Sequence, residues 1–253
     1  MKIIAIANQK GGCGKTTTAV NFAAGLAHRG RRVLVVDLDS QGHATIGFGF
    51  DPEECDKTVY ELLNDETGSI RDYILTTETN RVDLLPSNIL LSGTELEISQ
   101  TAGREYLLAK KMVEIEDDYD YAVIDCSPSL SLLAINALTC ADEVIIPVQA
   151  HYYALEGLKQ LIDTVNIVRQ RFNSRLIIRG VLLTFVDKQT NLSKQVQSQM
   201  RGFFGKLVFQ TVIHRSVRLA EAPSAGKSVI SYAASSASAK EYIDFAEEYE
   251  NEL

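Results

Sequence analysis

The chain has no tryptophan, only 5 prolines, and 4 cysteines scattered as Cys13, Cys55, Cys126 and Cys140. None of these forms a C-x-x-C pair, which argues against a zinc ribbon or a thioredoxin-type centre. A long chain of cytosolic type gives no reason to expect disulfides. The thiols are read as buried or incidental. No apolar run reaches the length of a membrane span. The apolar part of MKIIAIANQK is too short, and too soon followed by glycines, for a signal peptide. A cytoplasmic protein is expected. No Pro-, Gly- or Ser-rich linker and no internal repeat breaks the sequence, so residues 1–253 read as a single domain.

What is present is an alternation. IIAIAN (3–8), RVLVVDLD (32–39), VDLLP (82–86), YAVID (121–125), EVIIPV (143–148), LIIRGVLLTFV (176–186) and VFQTVI (208–213) read as strands. Helices are expected over 15–30, 106–116, 130–139, 155–172, 191–203 and 237–250. Strands apolar on both faces, alternating with helices, predict an α/β fold. Its sheet is mostly parallel and twisted, covered by helices on both faces.

The first strand runs into NQKGGCGKTTT (8–18). Gly14, Lys15 and Thr16 complete the end of the phosphate-loop pattern G-x-x-x-x-G-K-[ST], but Gln9 stands where its first glycine belongs. An extra lysine, Lys10, precedes Gly11 and Gly12. Glycines let backbone N–H groups wrap an anion, and the helix that follows adds partial positive charge. Lys15 is placed for the β- and γ-phosphates, and the Thr16 hydroxyl for Mg²⁺. Asp37 and Asp39, two residues apart at the end of a strand, share one side of it. Asp125 ends another strand, where an acid holding Mg²⁺ through its water shell is expected.

Together these residues resemble the ParA/Soj family of partition ATPases, in the MinD-like branch with a deviant Walker A loop. The K-G-G-x-G-K-[ST]-T hallmark is matched in full by Lys10–Thr17. DLDSQGHAT (37–45), LLPSN (84–88), VQAHYYALEGL (148–158), TNLSKQV (190–196) and VRLAEAPSAGKSV (217–229) are similar to family blocks, so the likeness covers nearly the whole chain. It implies a P-loop ATPase, weakly active alone, that uses ATP and Mg²⁺ and forms a homodimer sharing two nucleotides. Lys10 would reach across to the partner's nucleotide. Nucleotide contacts fall on Lys10, Gly11, Gly12, Cys13, Gly14, Lys15, Thr16 and Thr17, with Glu221 and Pro223 bordering the base. Lys10, Lys15 and Asp39 would be catalytic, Asp39 by positioning the attacking water. Thr16, Asp39 and Asp125 would surround the Mg²⁺. Ser40 and His43 depart from the family's proline and asparagine in a loop expected to sense the γ-phosphate. Cys13 stands where valine is frequent, and an electropositive loop can lower a thiol pKa.

The net charge of −8 hides an asymmetry: residues 169–227 hold 11 basic and 2 acidic side chains, +9, leaving −17 elsewhere. An anionic partner is expected for this region. The resemblance implies double-stranded DNA bound without sequence preference, hydrolysis stimulated by a ParB-like centromere-binding protein, and a cytoplasmic, nucleoid-associated location. Lys188, Lys194, Arg215, Arg218 and Lys227 are the candidate DNA contacts. Three other readings stand beside this one. A MinD-type membrane ATPase needs a basic amphipathic tail, whereas KEYIDFAEEYENEL (240–253) is acidic, so no stable membrane association is expected. An iron–sulfur carrier needs paired cysteines, and Cys126 has none. A tyrosine kinase needs a tail tyrosine cluster, while Tyr232, Tyr242 and Tyr249 are spread out.

Overall fold

Strands β1 (Lys2–Ile6), β2 (Val33–Leu38), β3 (Leu75–Thr76), β4 (Val82–Leu85), β5 (Tyr121–Cys126), β6 (Glu143–Gln149), β7 (Ile177–Val186) and β8 (Val208–His214) form one sheet. This is a computed structural model, and it describes residues 1–129, 131–150, 154–187 and 190–251. The strand order is β3-β4-β2-β5-β1-β6-β7-β8. Every pairing is parallel except β3 with β4. The expected mostly parallel sheet is therefore present. Only the two-residue β3 was not foreseen, because so short a strand carries no periodicity.

The helices are α1 (Lys15–His28), α2 (His43–Gly47), α3 (Val59–Asn64), α4 (Thr94–Glu97), α5 (Leu107–Met112), α6 (Leu132–Cys140), α7 (Ala154–Arg171), α8 (Asn191–Phe204), α9 (Val217–Glu221), α10 (Val229–Tyr232) and α11 (Ala237–Asn251). One correction concerns 106–116. A single helix was expected there. The structure has the six-residue α5 between 3₁₀ turns at Arg104–Tyr106 and Val113–Ile115. Neither cap residue of α5 makes a side-chain bond; Asn136 Oδ1 on α6 accepts the Leu108 N–H at 3.2 Å, and the 3₁₀ turns serve the rest of the ends.

Side chains alternate across the sheet. Ile4, Ile6, Val35 and Val123 face a core shared with α1 and α11. Ala5, Leu34, Val36 and Ile124 face a core shared with α3, α5, α6, α7 and α8. Continuing that alternation puts Asp37 and Asp125 on the α1 side. Helix α11 lies close on α1: a Cβ at Gly25 would come within 2.8 Å of the Tyr242 carbonyl oxygen. Phe22 meets Phe245 and Tyr249 with ring centroids 4.9 and 5.1 Å apart. Side chains of α11 also cover the exposed edge of β8. Glu248 accepts the N–H groups of Gln210 and Thr211, and Glu241 accepts that of His214. Closing an edge in this way removes a template for aggregation.

At the N-terminal ends of the strands, Glu143 is 4 % exposed. Its carboxylate accepts from Lys2 Nζ at 2.8 Å and from the Tyr249 hydroxyl at 2.7 Å. Arg179 lies over the Tyr249 ring and near the same carboxylate. This cluster ties β1, β6, β7 and α11 together. Tyr249→Phe keeps the packing but strips a donor from a buried charge, so it is expected to destabilise the fold by about 1–3 kcal/mol. Urea unfolding monitored by circular dichroism measures this. An unchanged midpoint would show that Glu143 does not depend on the hydroxyl.

Candidate functional site

The strand order reverses beside β1, which places the loop after it at the topological switch point where open α/β sheets bind ligands. The Asn8 side chain anchors the loop: Nδ2 donates to the Pro147 carbonyl at 2.7 Å, and Oδ1 accepts from the Lys10 N–H at 3.0 Å. Lys15 is only 7 % exposed, and its Nζ donates to the Lys10 carbonyl at 3.3 Å. The Cys13 thiol donates to that same carbonyl, and the Thr184 hydroxyl donates to the Cys13 carbonyl. Gly12 and Gly14 have φ of 70° and 87°, a conformation that strains any residue with a side chain. A Cβ on Gly11 or Gly12 would meet nothing within 4 Å, so the absent side chains leave an open cradle. Helix α1 starts directly behind it with no side-chain cap, which leaves its first amides for an anion.

The cavity here has a volume of about 590 Å³ and is lined by Gly11, Gly12, Gly14, Lys15, Thr16, Thr17, Asp39 and His43 among others. Its size suits a cofactor or nucleotide. A smaller, mostly apolar cavity of about 290 Å³ adjoins it across Gly14 and Thr17, walled by Leu219, Pro223 and Tyr242. The Lys10 side chain is exposed and meets no partner among the described residues.

Two carboxylates lie behind the cradle. Asp37 and Asp125 are register partners on β2 and β5, and both are fully buried. Asp37 accepts from both the N–H and the hydroxyl of Thr45 at 2.8 Å, and the Thr45 hydroxyl in turn accepts the Ser87 N–H at 3.0 Å. Asp37 thus pins the loop over residues 40–45 to the end of β4. Burial, offset in part by those bonds, raises its carboxyl to about 6. Among the described residues no well-aligned donor meets either oxygen of Asp125, although the Thr16 hydroxyl lies close enough to ease its charge. Burial first, and the neighbouring Asp37 second, push it well above the usual carboxylate range; Thr16 and Lys15 offset only part of this. A dry carboxylate without aligned donors is a costly arrangement that a cation relieves. Asp125 with the Thr16 hydroxyl fits a divalent cation behind an anionic ligand. Asp39 is partly exposed at the cavity, with Oδ1 accepting from the Gln41 N–H at 3.1 Å.

The structure therefore brings together Lys10, Gly11, Gly12, Cys13, Gly14, Lys15, Thr16, Thr17, Asp39 and Asp125. It places Pro223 on the apolar cavity. Glu221 is directed elsewhere: its carboxylate pairs with Arg218 at 2.8 Å and is 3.5 Å from the Tyr232 hydroxyl. The Cys13 thiol is buried inside the loop against the Lys10 carbonyl, and burial raises its pKa against the pull of Lys15. Lys194, Arg215, Arg218 and Lys227 are exposed near the strand ends that carry the cradle. Lys188 lies outside the described residues. The basic stretch is divided, because Arg169 and Arg171 end α7, and Arg175 and Arg179 flank the start of β7 at the opposite edge. Asp37 received no role from sequence. Its spacing to Asp39 revealed the shared side, but only the cross-strand register and Thr45 reveal what it holds.

A strand, a glycine cradle, an uncapped helix start and an acid on the adjoining strand define a P-loop nucleotide-binding protein. The comparisons with known proteins agree. Residues 1–178 match the AAA domain family. The chain is 50 % identical over 247 residues to the sporulation initiation inhibitor protein Soj of Bacillus subtilis, covering 98 % of this chain and 97 % of that one. It is 44 % identical to the chromosome partitioning protein ParA of Myxococcus xanthus, over 98 % of this chain and 87 % of that one. A cobyrinic acid a,c-diamide synthase from Mycobacterium smegmatis, solved with a bound ATP analog and magnesium, superposes with a TM-score of 0.86. That protein is 35 % identical, with 98 % and 93 % of the two chains covered. The chain belongs to the Soj/ParA family.

Asp125→Asn is expected to remove the loss of stability that builds up as pH rises from the ordinary carboxyl range through the raised pKa of this buried group, so that the cation-free variant melts higher than wild type at alkaline pH, by the equivalent of about 1–2 kcal/mol. A thermal melt in EDTA measures this, and a lower Tm than wild type would contradict an unsatisfied carboxylate.

Proposed function

We propose that this chain is the ATPase of a DNA partition system. ATP with Mg²⁺ occupies the cradle, and two copies close face to face over two nucleotides. The closed pair holds DNA without reading its sequence, and hydrolysis ends that state. Turnover is slow alone and rises with a ParB-like partner and DNA. The location is cytoplasmic and nucleoid-associated. Family membership supports this reading, and 50 % identity to Soj across almost the full length outweighs 35 % to the diamide synthase.

The observation that carries it is the contrast between two lysines. Lys15 is folded into its own loop, while Lys10, five residues earlier, extends into solvent beside the same cradle. A cation left unpaired there suits a phosphate group shared with a second subunit, where it both stabilises transferring charge and makes turnover depend on pairing. Within one subunit, the loop N–H groups and Lys15 hold the phosphates. Thr16 and Asp125 would hold a Mg²⁺, which would supply charge neutralisation to the phosphates. Asp39 orients water at the cavity mouth. The membrane reading finds no support in α11, whose apolar side chains Tyr242, Phe245, Ala246 and Tyr249 are buried in the core. Among the described residues no helix is long and apolar enough to cross a membrane.

Lys10→Ala is expected to keep ATP affinity within about threefold while lowering turnover by at least about tenfold. Fluorescent-nucleotide titration and phosphate release measure the two; unchanged turnover would remove Lys10 from catalysis. Arg218→Glu with Lys227→Glu is expected to abolish DNA retention on a filter while ATP binding survives. Undiminished retention would reject this patch.

A further inference from the structure

The segment that follows β4 is apolar on the side it turns to solvent. Asn88 caps it, accepting the Leu90 N–H at 3.0 Å. A 3₁₀ turn (Ile89–Ser92), α4 and a second 3₁₀ turn (Ile98–Gln100) then follow one another closely. The Gly93 N–H donates to the Leu90 carbonyl and the Leu96 N–H to the Gly93 carbonyl, which joins the first two. Leu91, Thr94 and Ile98 are buried, at the three- and four-residue spacing of a helix's inner face. The outer face of such a segment is ordinarily polar. Here Ile89, Leu90 and Leu96 are 61 %, 51 % and 82 % exposed, and the seven residues from Ile89 to Leu96 put both on one side. Scattered exposed apolar side chains are ordinary, but three on one short face with a polar rim mark a surface that another molecule covers.

The rim is acidic. Glu95 and Glu97 flank Leu96. The loop before α3 runs beside the root of the segment: the Val59 N–H donates to the Pro86 carbonyl at 2.8 Å, and Pro52 and the Ser87 carbonyl both come close to Gly42. That loop exposes Asp51, Glu53, Glu54 and Asp56, while its Lys57 lies over the Tyr73 ring. Residues 51–105 hold 13 acidic and 4 basic side chains, a net of −9. A second copy seated through this same face in a two-fold contact would set acid against acid. Nucleic acid and anionic lipid meet the same repulsion. The complementary chemistry is an apolar stripe edged with Lys or Arg.

We infer that the outer face of residues 89–97 is a docking surface for a basic amphipathic helix of a partner protein. Apolar side chains of that helix cover Ile89, Leu90 and Leu96, and its Lys or Arg side chains meet the acidic rim. The surface does not depend on the nucleotide reading above. Its position brings the partner near the cradle all the same. Ser87, two residues before Ile89, donates its N–H to the Thr45 hydroxyl, which holds Asp37. A docked helix sits beside the bonds that fix the loop on the cavity wall.

The test uses a fluorescein-labelled synthetic peptide of leucine and lysine at helical spacing, and the same peptide with glutamate in place of lysine. Anisotropy measures their binding to the purified chain. Wild type should bind the lysine peptide saturably, and the glutamate peptide at least about tenfold more weakly. Ile89→Ser with Leu96→Ser, and separately Glu54→Lys with Glu97→Lys, should each weaken the lysine peptide by at least about tenfold. Ile177→Ser, at an exposed apolar residue near the far edge of the sheet, should leave binding unchanged. The substituted side chains face solvent, so every variant should keep the wild-type melting temperature; if the serine pair melts lower, the charge-reversal pair decides. A lysine peptide that wild type does not bind, that either folded variant binds as wild type does, or that binds no better than the glutamate peptide would overturn the inference. So would self-association of wild type without peptide or nucleotide, seen by sedimentation and lost in the serine pair, which would give the face to a second copy.

Discussion

The register of β2 against β5 sets Asp37 beside Asp125 in the dry interior of the sheet, and the nucleotide edge is organised around that pairing. Two carboxylates on neighbouring strands repel each other, and burial disfavours the charge on both. The fold answers them differently. Asp37 receives the Thr45 N–H and hydroxyl, and so becomes the anchor of the loop that follows β2. Asp125 meets no such well-aligned donor among the described residues and is eased only by Thr16 and Lys15, which is why the proposed function gives it a cation. One acid is satisfied by the fold; the other is left with a costly charge that a bound cation would relieve.

That arrangement links the site to what lies around it. The loop pinned by Asp37 carries Gln41 and His43 on the cavity wall, and Asp39 precedes it. The exposed basic side chains Arg215 and Arg218 sit at the same edge of the sheet, lining a separate cleft that shares His214, Ser216 and Ala220 with the apolar cavity, and Lys227 is exposed on the loop that follows. In the proposed dimer, the face that closes on a second copy holds the exposed Lys10, the cavity mouth and part of the positive surface together. Arg218 already pairs with Glu221, but an exposed ion pair is worth little, about 0–1 kcal/mol, and does not hold the arginine back from a phosphate.

Much of this was legible in the sequence. Seven of the strands, the cradle and the acid that closes β5 all show as local patterns of apolar residues, glycines and aspartates. What was not legible depends on partners distant in the chain. The role of Asp37 required Thr45, eight residues on, and Ser87 beyond it. The Arg218–Glu221 pair was within reach, since residues three apart on a helix face each other. The outward apolar face over 89–97 had no signal: ILLSGTELEI does not tell its buried Leu91 and Ile98 from its exposed Ile89, Leu90 and Leu96. The basic stretch looked like a single patch because net charge ignores the reversal of direction between α7 and β7, which sends half of it to the far edge.

In the proposed function the nucleotide state of the cradle controls a charged face that holds DNA. Retention of duplex DNA of arbitrary sequence by the purified protein, with ATP, with ADP and with no nucleotide, tests it directly. The account predicts retention with ATP only, falling by at least about tenfold between about 50 and 200 mM salt. Equal retention in all three states, or retention indifferent to salt, would contradict it.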